Sequence, residues 1–158
     1  MYTIIDLVYL KLRRKEVAKA QKKLNKITIS TIFKCIAKNC WENNINYEVL
    51  FRSSNILVIK IIGTREDIII KYHRTDMVSQ NDFIGLMQYM EENFVDKGVY
   101  ITTGIFDRVV FRRKDKANLK KIKLENGIQF LKRHLGLLLK AEAIFNHKKF
   151  SFHEYIPQ

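Results

Sequence analysis

The chain has 158 residues, enough for one domain that buries a sizeable core without staples, or for one domain and an arm. Apolar types make up 47% and charged types 28%, with 6 Gly and 1 Pro, which excludes collagenous, low-complexity and fully disordered chains and argues against a loop-rich fold. Lys and Arg number 29 against 16 Asp and Glu, a net charge of +13; a polyanionic partner is expected, nucleic acid before an anionic membrane, with a merely solvated basic surface as the plain alternative.

Residues 2–25 read as one helix. Ile4, Ile5, Leu7, Val8 and Leu12 fill its first turns, and Lys11 to Lys26 hold eight basic residues and one acid. Docking on the domain by the apolar end is expected; an arm on nucleic acid, a dimerisation helix and a membrane-surface helix are the alternatives. The apolar run is interrupted by Asp6, lacks flanking targeting signals and falls short of the roughly 20 residues of a spanning helix, so no membrane segment is read there.

The clearest helix is 30–43. Ile29, Ile32, Phe33, Ile36, Ala37, Cys40 and Trp41 recur at three and four spacing, and Ser30 can cap it. Cys35 and Cys40 diverge on this helix, and no CxxC or Cys/His pair has zinc spacing. Two structural thiols in the reducing cytoplasm are therefore expected. Strand-like runs follow at Tyr47–Arg52, Asn55–Ile62 and Ile68–Arg74. Ser53-Ser54 and Gly63-Thr64-Arg65-Glu66 separate them in hairpin fashion.

A second helix is predicted from Ser79 to Phe94, with Ser79 and Asp82 at capping-box spacing and Phe83, Leu86, Met87, Met90 and Phe94 as the buried stripe. Asp76 to Asp96 hold five acids and no base, a face expected to turn to solvent and to repel phosphates. Asp96-Lys97-Gly98 turns the chain into a strand, Val99–Ile105. Residues 108–123 hold eight basic residues and one acid around Phe111, and read as exposed. Ile122–Glu125 reads as a short strand. Asn126-Gly127 opens a last helix with Ile128, Phe130, Leu131, Leu135, Leu138, Leu139, Ala143 and Phe145 on its apolar side. Three parts result: a basic helix over 1–26, one domain over 27–146 and a tail over 147–158.

Three segments in this order resemble the Mrr-like restriction endonucleases of the PD-(D/E)xK nuclease superfamily: IIIKYHR at 68–74, NDFIGLMQYMEENFVDKGVYITTGIF at 81–106 and IKLENGIQFLKRHL at 122–135. The resemblance covers about residues 30–136. It implies an α/β, restriction-endonuclease-like core, a mixed central sheet flanked by helices, with an extra N-terminal helix. In that family, acids hold one or two Mg²⁺ ions and a Lys serves the attacking water. Carried over one position at a time, the Lys is Lys71, whereas Asn55, Ile69 and Lys34 occupy the acidic positions. A site with no carboxylate beside two lysines should not hold Mg²⁺. Glu66, Asp67, Glu48 and Glu42 are the acids that a rearranged site would have to use.

The resulting expectation is a nucleic-acid-binding protein, DNA before RNA, that has lost its metal-binding acids, leaning away from an enzyme and needing no cofactor. Lys34, Lys71, Thr102 and Thr103 would form a phosphate-binding floor, joined by Arg108, Arg112, Arg113, Lys114 and Lys116, with Arg13, Arg14 and Lys15 available on the N-terminal helix. The alternatives are an active Mg²⁺- or Mn²⁺-dependent DNA endonuclease with a migrated acid, and a structural or dimerisation protein. The expected partners are nucleic acid and no membrane, with a homodimer left open.

Overall fold

The structure, a computed structural model, describes residues 4–116, 121–135 and 150–157. Leu138, Leu139, Ala143, Phe145 and the expected start of the tail at His147 lie outside the described residues, as does the side chain of Lys116.

Helices α1 (Ile4–Leu12) and α2 (Arg14–Leu24) replace the single helix expected over 2–25, because Arg13 leaves helical geometry at φ −116° and ψ 24°. The expected docking is also reversed. Ile4, Ile5, Leu7, Val8 and Leu12 of α1 are exposed, whereas α2 buries Val17, Ala20 and Leu24 and packs on the last helix. Those three residues recur at three and four spacing, so a narrow apolar stripe runs between the lysines.

Helix α3 (Ile29–Glu42) is capped by Thr28, whose hydroxyl accepts from the Thr31 amide at 3.2 Å; Ser30 is already inside the helix. Then come β1 (Asn46–Arg52), β2 (Ile56–Ile62) and β3 (Ile68–His73), joined as antiparallel hairpins. A two-residue strand β4 (Met77–Val78) leads to α4 (Gln80–Glu92). Ser79 and Asp82 form the full capping box there. Phe94 does not join the buried stripe. It lies beyond the helix at φ 53° and is 96% exposed.

The expected strand 99–105 is instead β5 (Lys97–Thr102), a bend, and β6 (Ile105–Phe106), which pairs with β4 in a small parallel sheet. The bend is tight: a Cβ at Gly104 would lie 2.1 Å from the Asp76 carbonyl, and one at Gly127 2.0 Å from that of Thr103, so neither position has room for a side chain. Next are α5 (Arg108–Lys116), β7 (Ile122–Glu125) and α6 (Gly127–Leu135), and residues 153–155 make a 3-10 turn.

The main sheet has the order β1-β2-β3-β5-β7, with β5 and β7 parallel to β3. This is a mixed α/β architecture, a five-stranded mixed sheet flanked by helices. The two faces carry separate cores. On one, Leu57, Ile59, Ile61, Ile68, Ile70, Tyr72 and Ile101 meet α2, α3, α6 and the segment Phe150–Ile156. On the other, Val58, Ile69, Tyr100 and Ile122 meet Phe83, Leu86 and Met90 of α4 and Val110 of α5. Strand β3 is buried along its whole length, as a central strand should be.

Candidate functional site

Alternation along β3 puts Ile69, Lys71 and His73 on one face, and the parallel register sets Lys71 beside Tyr100 and His73 beside Thr102. A polar group thus assembles near the carboxyl ends of adjacent parallel strands, under the first turns of α4. Open α/β sheets bind ligands at such strand ends.

Lys71 is only 5% exposed. Its Nζ donates to the Asp82 carbonyl at 2.7 Å and lies 4.9 Å from the centre of the Tyr100 ring. Burial pulls the amine down to about 8, against the opposing effect of Asp82. His73 Nδ1 and the Tyr100 hydroxyl share a hydrogen bond of 2.9 Å. Burial lowers the imidazole, with Asp82 raising and Lys71 further lowering it. Burial raises the Tyr100 phenol, and so does Asp82. For Asp82 itself burial pushes the carboxyl up, but the hydrogen bonds from Ser79 and the charges of His73 and Lys71 outweigh it, and the net shift is downward. The sequence reading sent this acid to solvent; it is instead the carboxylate that acts on both Lys71 and His73. Capping spacing hid that role, because a residue three into a helix also faces back over the strand before it.

The residues do not fit a divalent metal. Across β2 from Lys71 stands Val58, and two residues before Lys71 stands the buried Ile69. One oxygen of the Asp82 carboxylate, Oδ2, accepts from the Ser79 amide at 2.9 Å and from the Ser79 hydroxyl at 2.6 Å. Of the other acids considered, Glu66 pairs with Lys97 at 2.8 Å and Asp67 with Lys60 at 3.4 Å, at the opposite end of β3. Glu42 pairs with Lys38, and Glu48 sits across from Lys60. Among the described residues no group of three His, Cys, Asp or Glu side chains could hold a metal ion.

Nor do Asn55, at an expected acidic position, and the expected phosphate ligands converge. Asn55 lies in the β1–β2 turn, where its carbonyl accepts from the Arg74 amide at 2.8 Å, three positions from the residue opposite Lys71. Lys34 is exposed on α3, which packs on the other face of the sheet from Lys71. Thr102 and Thr103 are buried and already engaged: the Thr102 hydroxyl accepts from the Gly104 amide at 3.2 Å, and that of Thr103 donates to the Thr75 carbonyl at 3.3 Å. Both threonine hydroxyls are thus engaged by the fold itself.

The basic segment behaves differently. Sequence periodicity missed α5 because cations crowd its few apolar positions. Val110 and Phe111 nevertheless suffice to anchor it, Phe111 meeting Phe106 edge-on at 6.0 Å. Arg108 and Arg112, one turn apart, stay exposed on the outer side beside Asp115, while Arg113 and Lys114 are half-buried on the flanks. Helix α4 packs against α5, so the acidic helix borders the basic one.

No protein-family profile and no curated protein matches the chain. Among solved structures it is similar to a protein of unknown function, AF1548, with a TM-score of 0.41 and 10% identity over 58% of this chain and 54% of that one. It is also similar to the MspJI restriction endonuclease in complex with a 27-mer oligonucleotide, with a TM-score of 0.36 and 13% identity over 96% of this chain and 36% of that one. The chain thus spans about half the length of the first and little more than a third of the second. No helix among the described residues is long and apolar enough to cross a membrane.

Proposed function

We propose that this chain binds nucleic acid, DNA in the first instance, through an exposed basic face centred on α5, and that it is a restriction-endonuclease-like, Mrr-like protein without a working metal site. The observation that carries this reading is α5 itself. A helix anchored inward by Val110 and Phe111 holds Arg108 and Arg112 outward about 6 Å apart, close to the spacing of successive phosphates, in a chain of net charge +13. Lys71 is assigned a structural place under α4 rather than contact with phosphate, and Lys34 belongs to a different surface.

Filter binding to a DNA duplex over a range of salt tests the proposal. With about six phosphates contacted, the log–log slope should be near −5, and Arg108→Glu with Arg112→Glu should flatten it by roughly two. Binding that ignores both salt and these substitutions would overturn it. So would cleavage in Mg²⁺ or Mn²⁺ that Lys71→Ala abolishes, which would favour the endonuclease reading.

A further inference from the structure

Helices α3 and α4 end in the same motif with different residues. Helix α3 closes in a left-handed cap at Asn44, φ 53°, where the Asn44 amide donates to the Trp41 carbonyl at 3.2 Å and the Ile45 amide to that of Cys40 at 2.9 Å. Helix α4 repeats it at Phe94, also φ 53°, with the Phe94 amide donating to the Glu91 carbonyl at 3.1 Å and the Val95 amide to that of Met90 at 2.9 Å. Asn or Gly suits this backbone, and a bulky side chain does not. Met90 and Val95 are buried and close the cap between them, while the Phe94 ring stands almost wholly in water. The fold gains nothing from that ring, and Asn would serve the cap better.

Helix α1 carries a second apolar surface that the core does not use. Ile4, Val8 and Leu12, spaced by four, share an arc of about 100° with Ile5. All four are between 52% and 81% exposed. The two surfaces differ in charge. Lys11, Arg14 and Lys15, within three residues of Leu12, are exposed. Beside Phe94, Glu91 and Glu92 are exposed, in a stretch from Asp76 to Asp96 that holds no base. Phe94 also borders a cavity of about 440 Å³; of the cations there, Lys97 is taken by Glu66 at 2.8 Å and Lys121 by Asp96 at 3.6 Å, and Arg65 is the third. Within one chain the two surfaces are kept apart. Helix α2, which α1 contacts, packs on the sheet face of Ile59 and Ile70, whereas α4 packs on that of Val58 and Ile69.

We infer that copies of this chain associate head to tail, the Phe94 ring of one seated on the aliphatic arc of α1 of the next, with Glu91 and Glu92 facing Lys11, Arg14 and Lys15. An aromatic anchor on an apolar floor, ringed by complementary charge, is the usual anatomy of a small interface. A symmetric pairing of α1 with α1 would set cation against cation and leave Phe94 in water. A lipid surface would take the cationic arc and leave Phe94 and its acids without a role. Two different patches make a contact that propagates, closing into a ring or extending as an open chain. The inference does not use the nucleic-acid reading, and it is tested without nucleic acid.

Sedimentation velocity on the full chain is the test. A small contact is weak, so the mean mass should climb between about 1 μM and about 0.5 mM. Phe94→Asn and Val8→Asp should each leave a monomer throughout that range, and Leu12→Asp should repeat the second result. Glu91→Lys with Glu92→Lys should weaken association about tenfold. Mixing is the sharper measurement. The Val8→Asp chain keeps the ring and the Phe94→Asn chain keeps the arc, so together they should form a one-to-one dimer and nothing larger. Urea unfolding checks that the variants fold, and Phe94→Asn should not lower the midpoint, since the same cap holds Asn44. A parent that stays monomeric to about 0.5 mM would overturn the inference. So would a mixture that fails to dimerise, or a Phe94→Asn chain that associates as the parent does while Val8→Asp does not, which would mean a symmetric α1 pair. Binding of a monomeric parent to phosphatidylglycerol vesicles that Val8→Asp abolishes would overturn it as well, by assigning the arc to lipid.

Discussion

The two faces of strand β3 are equally buried and differently made. Ile68, Ile70 and Tyr72 look into a core sealed by α2, α3, α6 and the segment Phe150–Ile156, and where a charge enters that side it is matched. Glu125, 2% exposed at its rim, receives both Arg133 Nε at 2.9 Å and Arg133 Nη2 at 3.1 Å as well as the Tyr155 hydroxyl. Ile69, Lys71 and His73 look the other way, and there the buried amine meets a backbone carbonyl and a ring instead of a paired carboxylate. One face pairs the carboxylate it buries. The other carries an ionisable residue that the fold tolerates at a cost.

Breaking the matched side should have the largest effect. Arg133→Met leaves the Glu125 carboxylate buried without its partner and should destabilise by about 3–5 kcal/mol in urea unfolding. A loss under about 1 kcal/mol would mean that water reaches the carboxylate and that this rim is open.

Cavity variants compare the two seals next. Ile36→Ala, under α3, and Leu86→Ala, under α4, should each cost about 2–5 kcal/mol, because both side chains are fully buried. A near-zero value for Leu86 alone would show that α4 lies loosely over Lys71.

The unmatched side should answer in the opposite direction. Lys71→Met keeps the length of the side chain and removes the buried charge, and should stabilise by about 1–3 kcal/mol near neutral pH. Destabilisation by a similar amount would show that the Asp82 carbonyl and the Tyr100 ring hold the amine as well as water does.

The smallest effect is the pH dependence. Below pH 8 both the folded and the unfolded chain carry the proton on residue 71, and the cost of burying the charge is in full force. As pH rises from about 8 towards 10.5 the folded chain has shed the proton that the unfolded one still holds, so stability should rise across that window. Lys71→Met should remove the rise. His73, lowered from 6.5, has the same sign: stability should fall as pH drops below 6.5, since only the unfolded chain readily takes the proton.

The hairpin strands β1 to β3 and strand β7 were legible in the sequence to within about one residue, because Ile-rich runs bounded by Ser-Ser and Gly-Thr admit few other readings, whereas β5 starts two residues and ends three residues before the expected strand 99–105. The capping box was legible too, since spacing and residue type specify it. Helix α5 was not, because two apolar anchors among cations leave no period to detect. The break at Arg13 and the positive φ of Phe94 carry no signal at the level of residue types. For the site, Lys71 was found at the strand end as the resemblance implied. What surrounds it was hidden, because the closure by α4 and the engagement of both threonines depend on register and crossover geometry. Asp82 was seen only as a cap, although its position one turn into the helix that follows β3 was the available clue.

The Phe152 amide donates to the buried Asn39 side chain at 2.7 Å, across a separation of 113 residues. In the order of synthesis, α3 and the hairpins β1–β3 leave the ribosome long before that amide exists. The apolar side of the sheet must then wait, with the Asn39 carbonyl unpaired and Ile36, Ile70 and Tyr72 lacking part of their cover, until residue 152 has emerged. A nascent chain stalled before that point should expose aliphatic surface and attract chaperones, whereas one released beyond it should close within a single cooperative step.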